Sequence, residues 1–175
     1  MTVFFFVQLD KLRWETDARV YLPKGHSAIL YDEKVDEVFG VKNTILIGIV
    51  NEKKGIYNTE TLERISRITE KVANLPGVDA QRTIDVVSLS TASAFVGDEE
   101  SIGSEWLMEK VPTTQDEIEK LKEKIKNNED LFVGNIVSED GKVAIIRAKL
   151  KEGIDNRYST YFAIKNVVLS AEGGQ

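Results

Sequence analysis

His26 is the only histidine of this 175-residue chain, and it lies in the turn Leu22-Pro23-Lys24-Gly25-His26 with no other metal ligand nearby. One histidine can titrate near neutrality, but it cannot form a histidine cluster or support a triad that needs another. A solvated loop residue is expected there. Adjacent carboxylates are a second source of chemistry: Asp32 and Glu33, Asp36 and Glu37, Glu99 and Glu100, Asp116 and Glu117. Such pairs can run glycoside hydrolysis or hold a hard cation. Here they fall beside lysines on helix faces and loops, where charge faces water. Asp98-Glu99-Glu100 could attract a cation but lacks the ligand spacing of an EF-hand loop. Gly48 and Gly55 have no phosphate-loop context, and Gly97 and Gly103 are read as turning points. Trp14 and Trp106 have the shape to lie on a ligand or a membrane surface, with ordinary core or edge packing as the plainer account. The chain has no cysteine, so thiolate nucleophiles, disulfides and cysteine-based metal sites drop out. No catalytic, cofactor-binding or metal-binding residue is assigned, no cofactor is implied, and no enzyme is expected.

The elements that would position these residues follow from patterning. A hydrophobic fraction of 42% and a charged fraction of 30% describe an ordinary folded chain. The net charge is -6 with signs interleaved, which argues against nucleic acid as a partner. After the Pro-Lys-Gly turn, Ile29, Leu30, Val35, Val38 and Phe39 fit one face of a short helix that Gly40 would end. Ile45-Leu46-Ile47-Gly48-Ile49-Val50 is nearly continuous, which predicts a strand buried on both faces in the middle of a sheet. Asn58 reads as an N-cap, with Leu62, Ile65, Ile68, Val72 and Leu75 as the apolar face of the helix and Pro76-Gly77 as its stop.

Residues 84–89 read as a second strand, completing a β-α-β unit. Residues 91–103 look irregular, and residues 102–111 contain a strand with Trp106 and Met108 on one side. Thr114 caps a further helix, with Glu117 at the capping-box position and Ile118, Leu121 and Ile125 as its face. Residues 132–137 and 143–150 flank Ser138-Glu139-Asp140-Gly141-Lys142, a hairpin signal. Residues 155–171 suit a helix and a strand almost equally; the spacing of Tyr158, Tyr161, Ile164 and Val168 favours the helix. The sum is an α+β fold of the split β-α-β, ferredoxin-like kind, helices on one face of a mainly antiparallel sheet. Its closing strand is missing from the pattern.

The chain opens on Val3-Phe4-Phe5-Phe6-Val7, followed at once by charged residues. Five apolar residues cannot cross a bilayer, which needs about twenty. They are either a first strand or the end of something longer. The start lacks the marks of a signal peptide.

The order of segments carries more than any one residue. Tyr21-Leu22-Pro23-Lys24-Gly25-His26 precedes the apolar strand and Gly55-Ile56-Tyr57-Asn58-Thr59-Glu60-Thr61-Leu62. Leu75-Pro76-Gly77-Val78 comes next, then Pro112-Thr113-Thr114 before a charged helix, and Leu131-Phe132-Val133-Gly134-Asn135-Ile136-Val137 before Ser-Glu-Asp-Gly-Lys. This succession, over residues 3–172, resembles the first large extracytoplasmic loop of RND superfamily exporters, in particular the MMPL-like branch. The resemblance implies a non-catalytic, porter-type periplasmic domain of a proton-driven membrane exporter of hydrophobic or lipid-like molecules. It implies as partners the transmembrane helices and second extracytoplasmic domain of the same transporter, with a possible homo-oligomer. It implies a place on the outer face of the cell membrane.

On that reading residues 1–8 are the end of a transmembrane helix and 9–40 a polar lead-in with a short helix. Residues 41–172 are the porter-like domain and 173–175 a tail. No proton-relay or substrate-binding residue carries over. The alternative is a free-standing soluble α+β ligand-binding or regulatory module, in which residues 3–7 pair inside the domain's own sheet.

Overall fold

Asn58 starts the helix on which the main unit is built. Its extended backbone leaves the Oδ1 atom free to accept the Thr61 N–H at 3.0 Å, and helix Thr59–Ala73 runs from there. The face it presents inward is Leu62, Ile65, Ile68 and Val72, all fully buried. Burying each such side chain is worth roughly 1.5–3 kcal/mol, so packing outweighs the cap several-fold in holding this helix. The helix ends at Asn74, and Leu75-Pro76-Gly77-Val78 turns the chain back, with the Val78 N–H bonding the Leu75 carbonyl at 3.0 Å.

The computed structural model describes residues 21–39, 43–97, 102–151 and 157–172. The expectations for the apolar stub, the lead-in up to residue 20, Trp14, Gly40, Asp98-Glu99-Glu100 and the tail lie outside these residues. The chain divides into two units, Met1–Val41 and Lys42–Gln175. In the first, helix α1 spans Ser27–Phe39, with Leu30 and Tyr31 exposed. The second unit comprises β1 (Thr44–Val50), α2 (Thr59–Ala73), β2 (Val86–Val87), β3 (Ser93–Gly97), β4 (Ile102–Trp106), α3 (Gln115–Asn127), α4 (Glu129–Phe132), β5 (Val143–Lys149) and α5 (Arg157–Glu172). Among the described residues no helix is long and apolar enough to cross a membrane.

The fold is α+β. Strand β5 lies between β1 and β2 and runs antiparallel to both, so β1 and β2 are parallel, linked through α2, and never touch. One face of the sheet carries Ile47, Ile49, Ala144, Ile146, Ala148 and Val86, all buried. Packed on it, α2 covers β5 and β2, with α5 alongside α2. A separate antiparallel ribbon pairs β3 with β4.

Five expectations are corrected. Among the described residues strand β1 lies at the edge of the sheet with one wet face, not at its centre: Leu46 is 64% exposed and Val50 56%. Every inward residue, Ile45, Ile47 and Ile49, is apolar, and outward Leu46, Gly48 and Val50 are apolar or glycine too, so the usual alternation is hidden. Residues 132–137 form no strand. Phe132 closes the one-turn helix α4, and Phe132, Ile136 and Val137 are buried through turns in which the Phe132 carbonyl accepts from Ile136 at 2.9 Å. The irregular middle contains β3, and the second strand shrinks to Val86–Val87. In β4, Trp106 faces out while Met108, beyond the strand end, is buried. The last segment is a helix, as its spacing predicts.

Candidate functional site

His26 is exposed, and its Nδ1 accepts the Ala28 N–H at 3.2 Å, so it caps α1. Asp32 and Glu33 are exposed on the same helix, which also carries Asp36 and Glu37. The Asp116–Glu117 pair has a structural role. Glu117 Oε2 accepts the Thr113 N–H at 2.7 Å and the Thr114 N–H at 3.1 Å, and Thr114 Oγ1 accepts the Glu117 N–H in return. Those bonds, the one from Thr113 first, hold the Glu117 carboxyl below its ordinary range. The other charges of α3 line its solvated face: Glu119 accepts from Lys122 at 2.8 Å. Among the described residues no group of three histidine or carboxylate side chains is placed to hold a metal ion.

Buried polar side chains are also accounted for. Asp85 is 1% exposed and takes the Arg82 Nη2 at 2.8 Å and the Arg82 backbone N–H at 2.9 Å. The side-chain bond from Arg82, against the opposing cost of burial, depresses its pKa. Thr69 Oγ1 donates to the Ile65 carbonyl at 2.7 Å and lies 2.9 Å from Ser88 Oγ. Among the described residues no buried side-chain polar atom lacks a partner.

The motifs singled out in the sequence come together around β5. At its start, the Ile56 N–H reaches the Gly141 carbonyl and the Asn51 N–H reaches the Lys142 carbonyl, each at 2.9 Å. Gly55 and Gly141 both have positive φ, 69° and 64°. A side chain on Gly55 would strike the Gly141 carbonyl oxygen at 2.9 Å, so the two turns touch backbone to backbone. At the other end of β5, Val78 bridges Leu150, the Asp79 N–H bonds the Lys149 carbonyl at 2.8 Å and the Lys151 N–H bonds the Gly77 carbonyl at 3.0 Å. The helix-start segment, the Leu-Pro-Gly-Val stop and the Ser-Glu-Asp-Gly-Lys turn are thus the clamps of the central strand. They position a scaffold. Neither the protein-family models nor the curated proteins searched contain a match to this chain.

Two apolar patches stand out on the surface of the described residues. On the β3–β4 ribbon, Phe95 and Trp106 project from one face, 61% and 42% exposed. The ribbon is held from below: Asn128 accepts the Phe95 N–H at 3.1 Å and donates to its carbonyl at 3.2 Å, and Lys124 Nζ pairs with Glu105 at 2.9 Å. The second patch is a groove of about 240 Å³ between β1 and α5, lined by Ile45, Leu46, Ile47, Gly48 and, from the helix, Tyr161, Ile164, Lys165, Val168 and Leu169. Its volume falls below the roughly 300–1,000 Å³ of small-molecule pockets. Sequence reasoning missed this groove because its walls lie more than a hundred positions apart. The one local signal was the pair of exposed apolar positions at Leu46 and Val50, which resembled core.

Proposed function

We propose that this chain is an extracytoplasmic, porter-type domain of a proton-driven RND superfamily exporter, MMPL-like branch, moving hydrophobic or lipid-like molecules. The domain is non-catalytic on this reading. It borders a substrate route and passes motion between the transmembrane helices and the second extracytoplasmic domain of the same transporter. The observation that carries the proposal is the arrangement around β5. Two parallel strands joined by α2 with an antiparallel strand between them suit a split β-α-β, ferredoxin-like porter subdomain. The three motifs most specific to the resemblance are the segments that clamp that strand. Proton coupling belongs to ionisable residues inside transmembrane helices, and no such residue is assigned here.

The chain has no cysteine, which gives a clean test. Lys53 is exposed in the turn after β1, and Lys53→Cys is introduced into the intact gene. The full-length product should sediment with membranes and react with a membrane-impermeant maleimide in intact spheroplasts, above the parent protein's background. Labelling only after lysis overturns the proposal. That no second strand pairs with Leu46, Gly48 and Val50 of β1 among the described residues is the observation that favours the alternative, a free-standing binding module. That module would give a product in the soluble fraction.

A further inference from the structure

The outer edge of β1 has a defined hydrogen-bonding pattern. At the two ends of the β1–β5 ladder, the Asn51 N–H bonds the Lys142 carbonyl and the Leu150 N–H bonds the Asn43 carbonyl. With the register Ile47↔Ile146, this turns the backbone groups of odd-numbered β1 residues toward β5. The N–H and C=O groups of Leu46, Gly48 and Val50 therefore point away from the sheet. Among the described residues no strand takes them. Natural edge strands are usually guarded by a lysine, a proline, a bulge or an inward charge. Strand β1 has none of these over its seven residues, Thr-Ile-Leu-Ile-Gly-Ile-Val.

Gly48 is the second observation. Its φ is not in the left-handed region, and a Cβ built on it meets nothing within 4 Å. Neither conformation nor packing inside the described fold calls for glycine there. A glycine inside a strand often marks the close approach of another backbone.

The third is charge. Helix α5 forms the wall of the groove beside this edge, and among the described residues Lys165 is the one charged side chain lining it. Among the described residues Lys165 Nζ takes no ion pair and no hydrogen bond. A second copy of the chain is a poor occupant. Pairing β1 with β1 across a two-fold axis would set two α5 helices over strands about 4.8 Å apart, whereas packed helices need about 8–10 Å.

We infer that the β1 edge and α5 form a receptor groove for one extended strand of another polypeptide, apolar at alternate positions and carrying a carboxylate that meets Lys165. Backbone bonds from Leu46, Gly48 and Val50 supply the affinity. Every second side chain of the added strand lies under α5 against Tyr161, Ile164 and Val168, and supplies the specificity. This inference stands on the edge geometry and does not depend on the transporter reading.

The test uses the 175-residue protein and two capped seven-residue peptides. In both, threonines alternate with valines, and the central inward position is glutamate in one and lysine in the other. Amide exchange is followed by NMR. The glutamate peptide should slow exchange at Leu46, Gly48 and Val50 and leave the inward ladder amides unchanged. The lysine peptide should bind about tenfold more weakly. Lys165→Glu should reverse that preference, and it lies on an exposed helix position that does not threaten folding. Gly48→Pro removes one outward N–H without touching the ladder to β5 and should abolish protection by either peptide.

No protection by either peptide, protection that survives Gly48→Pro in a folded variant, or equal binding of both peptides overturns the inference. So does protection of these three amides in the free protein. If it rises with protein concentration a second copy is the occupant, and if it does not the chain covers its own edge.

Discussion

Substituting Gly77 by alanine should destabilise the main unit through one clash. Gly77 sits in the turn after α2, and its carbonyl accepts the Lys151 N–H at 3.0 Å. A Cβ added there would lie 2.7 Å from Thr160 Cγ2 and 2.9 Å from Thr160 Cβ, and would also run into Thr160 Oγ1. Thr160 is buried on α5, and although a helical threonine has two χ1 rotamers, neither moves its Cβ out of the 2.9 Å contact. The turn and α5 must therefore separate, and overpacking of this kind costs roughly 1–3 kcal/mol. That lowers the folded-to-unfolded ratio by roughly five- to 150-fold and the melting temperature by about 2–4 °C per kcal/mol in a chain of this size.

Urea unfolding followed by far-UV circular dichroism reads the change as a lower midpoint at constant slope. Thr160→Ala removes Oγ1 and Cγ2 but leaves the Cβ contact, so the double variant should recover part of the loss. A coupling energy of about 1 kcal/mol is expected from the cycle. A Gly77→Ala variant within about 0.3 kcal/mol of the parent, or single effects that simply add, would show that this contact does not set the packing of α5.

Asp85→Asn should lower the urea midpoint at pH 7 and flatten the acid limb of the stability profile. The Asp85 carboxyl titrates lower in the folded state than unfolded, so its contribution is present above about pH 4 and fades as pH falls through its depressed folded value. Asn58→Ala removes the α2 cap and the 2.8 Å bond to the Gly55 carbonyl, and should cost about 1–2 kcal/mol in the same urea assay. Gly48→Thr should instead stabilise the free protein by about 0.5–1 kcal/mol, because the site has room and strands favour a β-branched residue. Thermal melts of the free protein decide that sign.

Local rules carried the helices. Asn58, the spacing of Leu62 to Val72 and Pro76-Gly77 marked α2 because cap, face and stop all lie within twenty residues. The Thr114–Glu117 box marked α3 for the same reason. Position in the sheet was illegible. Strand β1 looks central because Leu46 and Val50 on its outward face are apolar, and no local pattern says that β5 is its one neighbour among the described residues. Phe132, Val133, Ile136 and Val137 suggest a strand beside the Asp-Gly hairpin signal, although their spacing of one, three and one is nearer to helical turns. The three resemblance motifs were visible one by one, but that all of them clamp β5 depends on pairings the sequence does not display. The β1–α5 groove was hidden for the same reason.

The pairing of β1 with β5 also orders events at the ribosome. The two strands are separated by roughly a hundred residues, so β1 emerges and must wait for its partner to be made. At about 5–20 residues per second that delay is on the order of 5–20 s, far longer than a hairpin or helix needs to form. During it, an uncharged apolar segment lacks the β5 partner, and such a segment has the composition of a strand that aggregates. The step in this protein's life most exposed to misassembly is therefore its synthesis, and a chaperone that shields β1 until β5 arrives would raise its yield more than any gain in final stability.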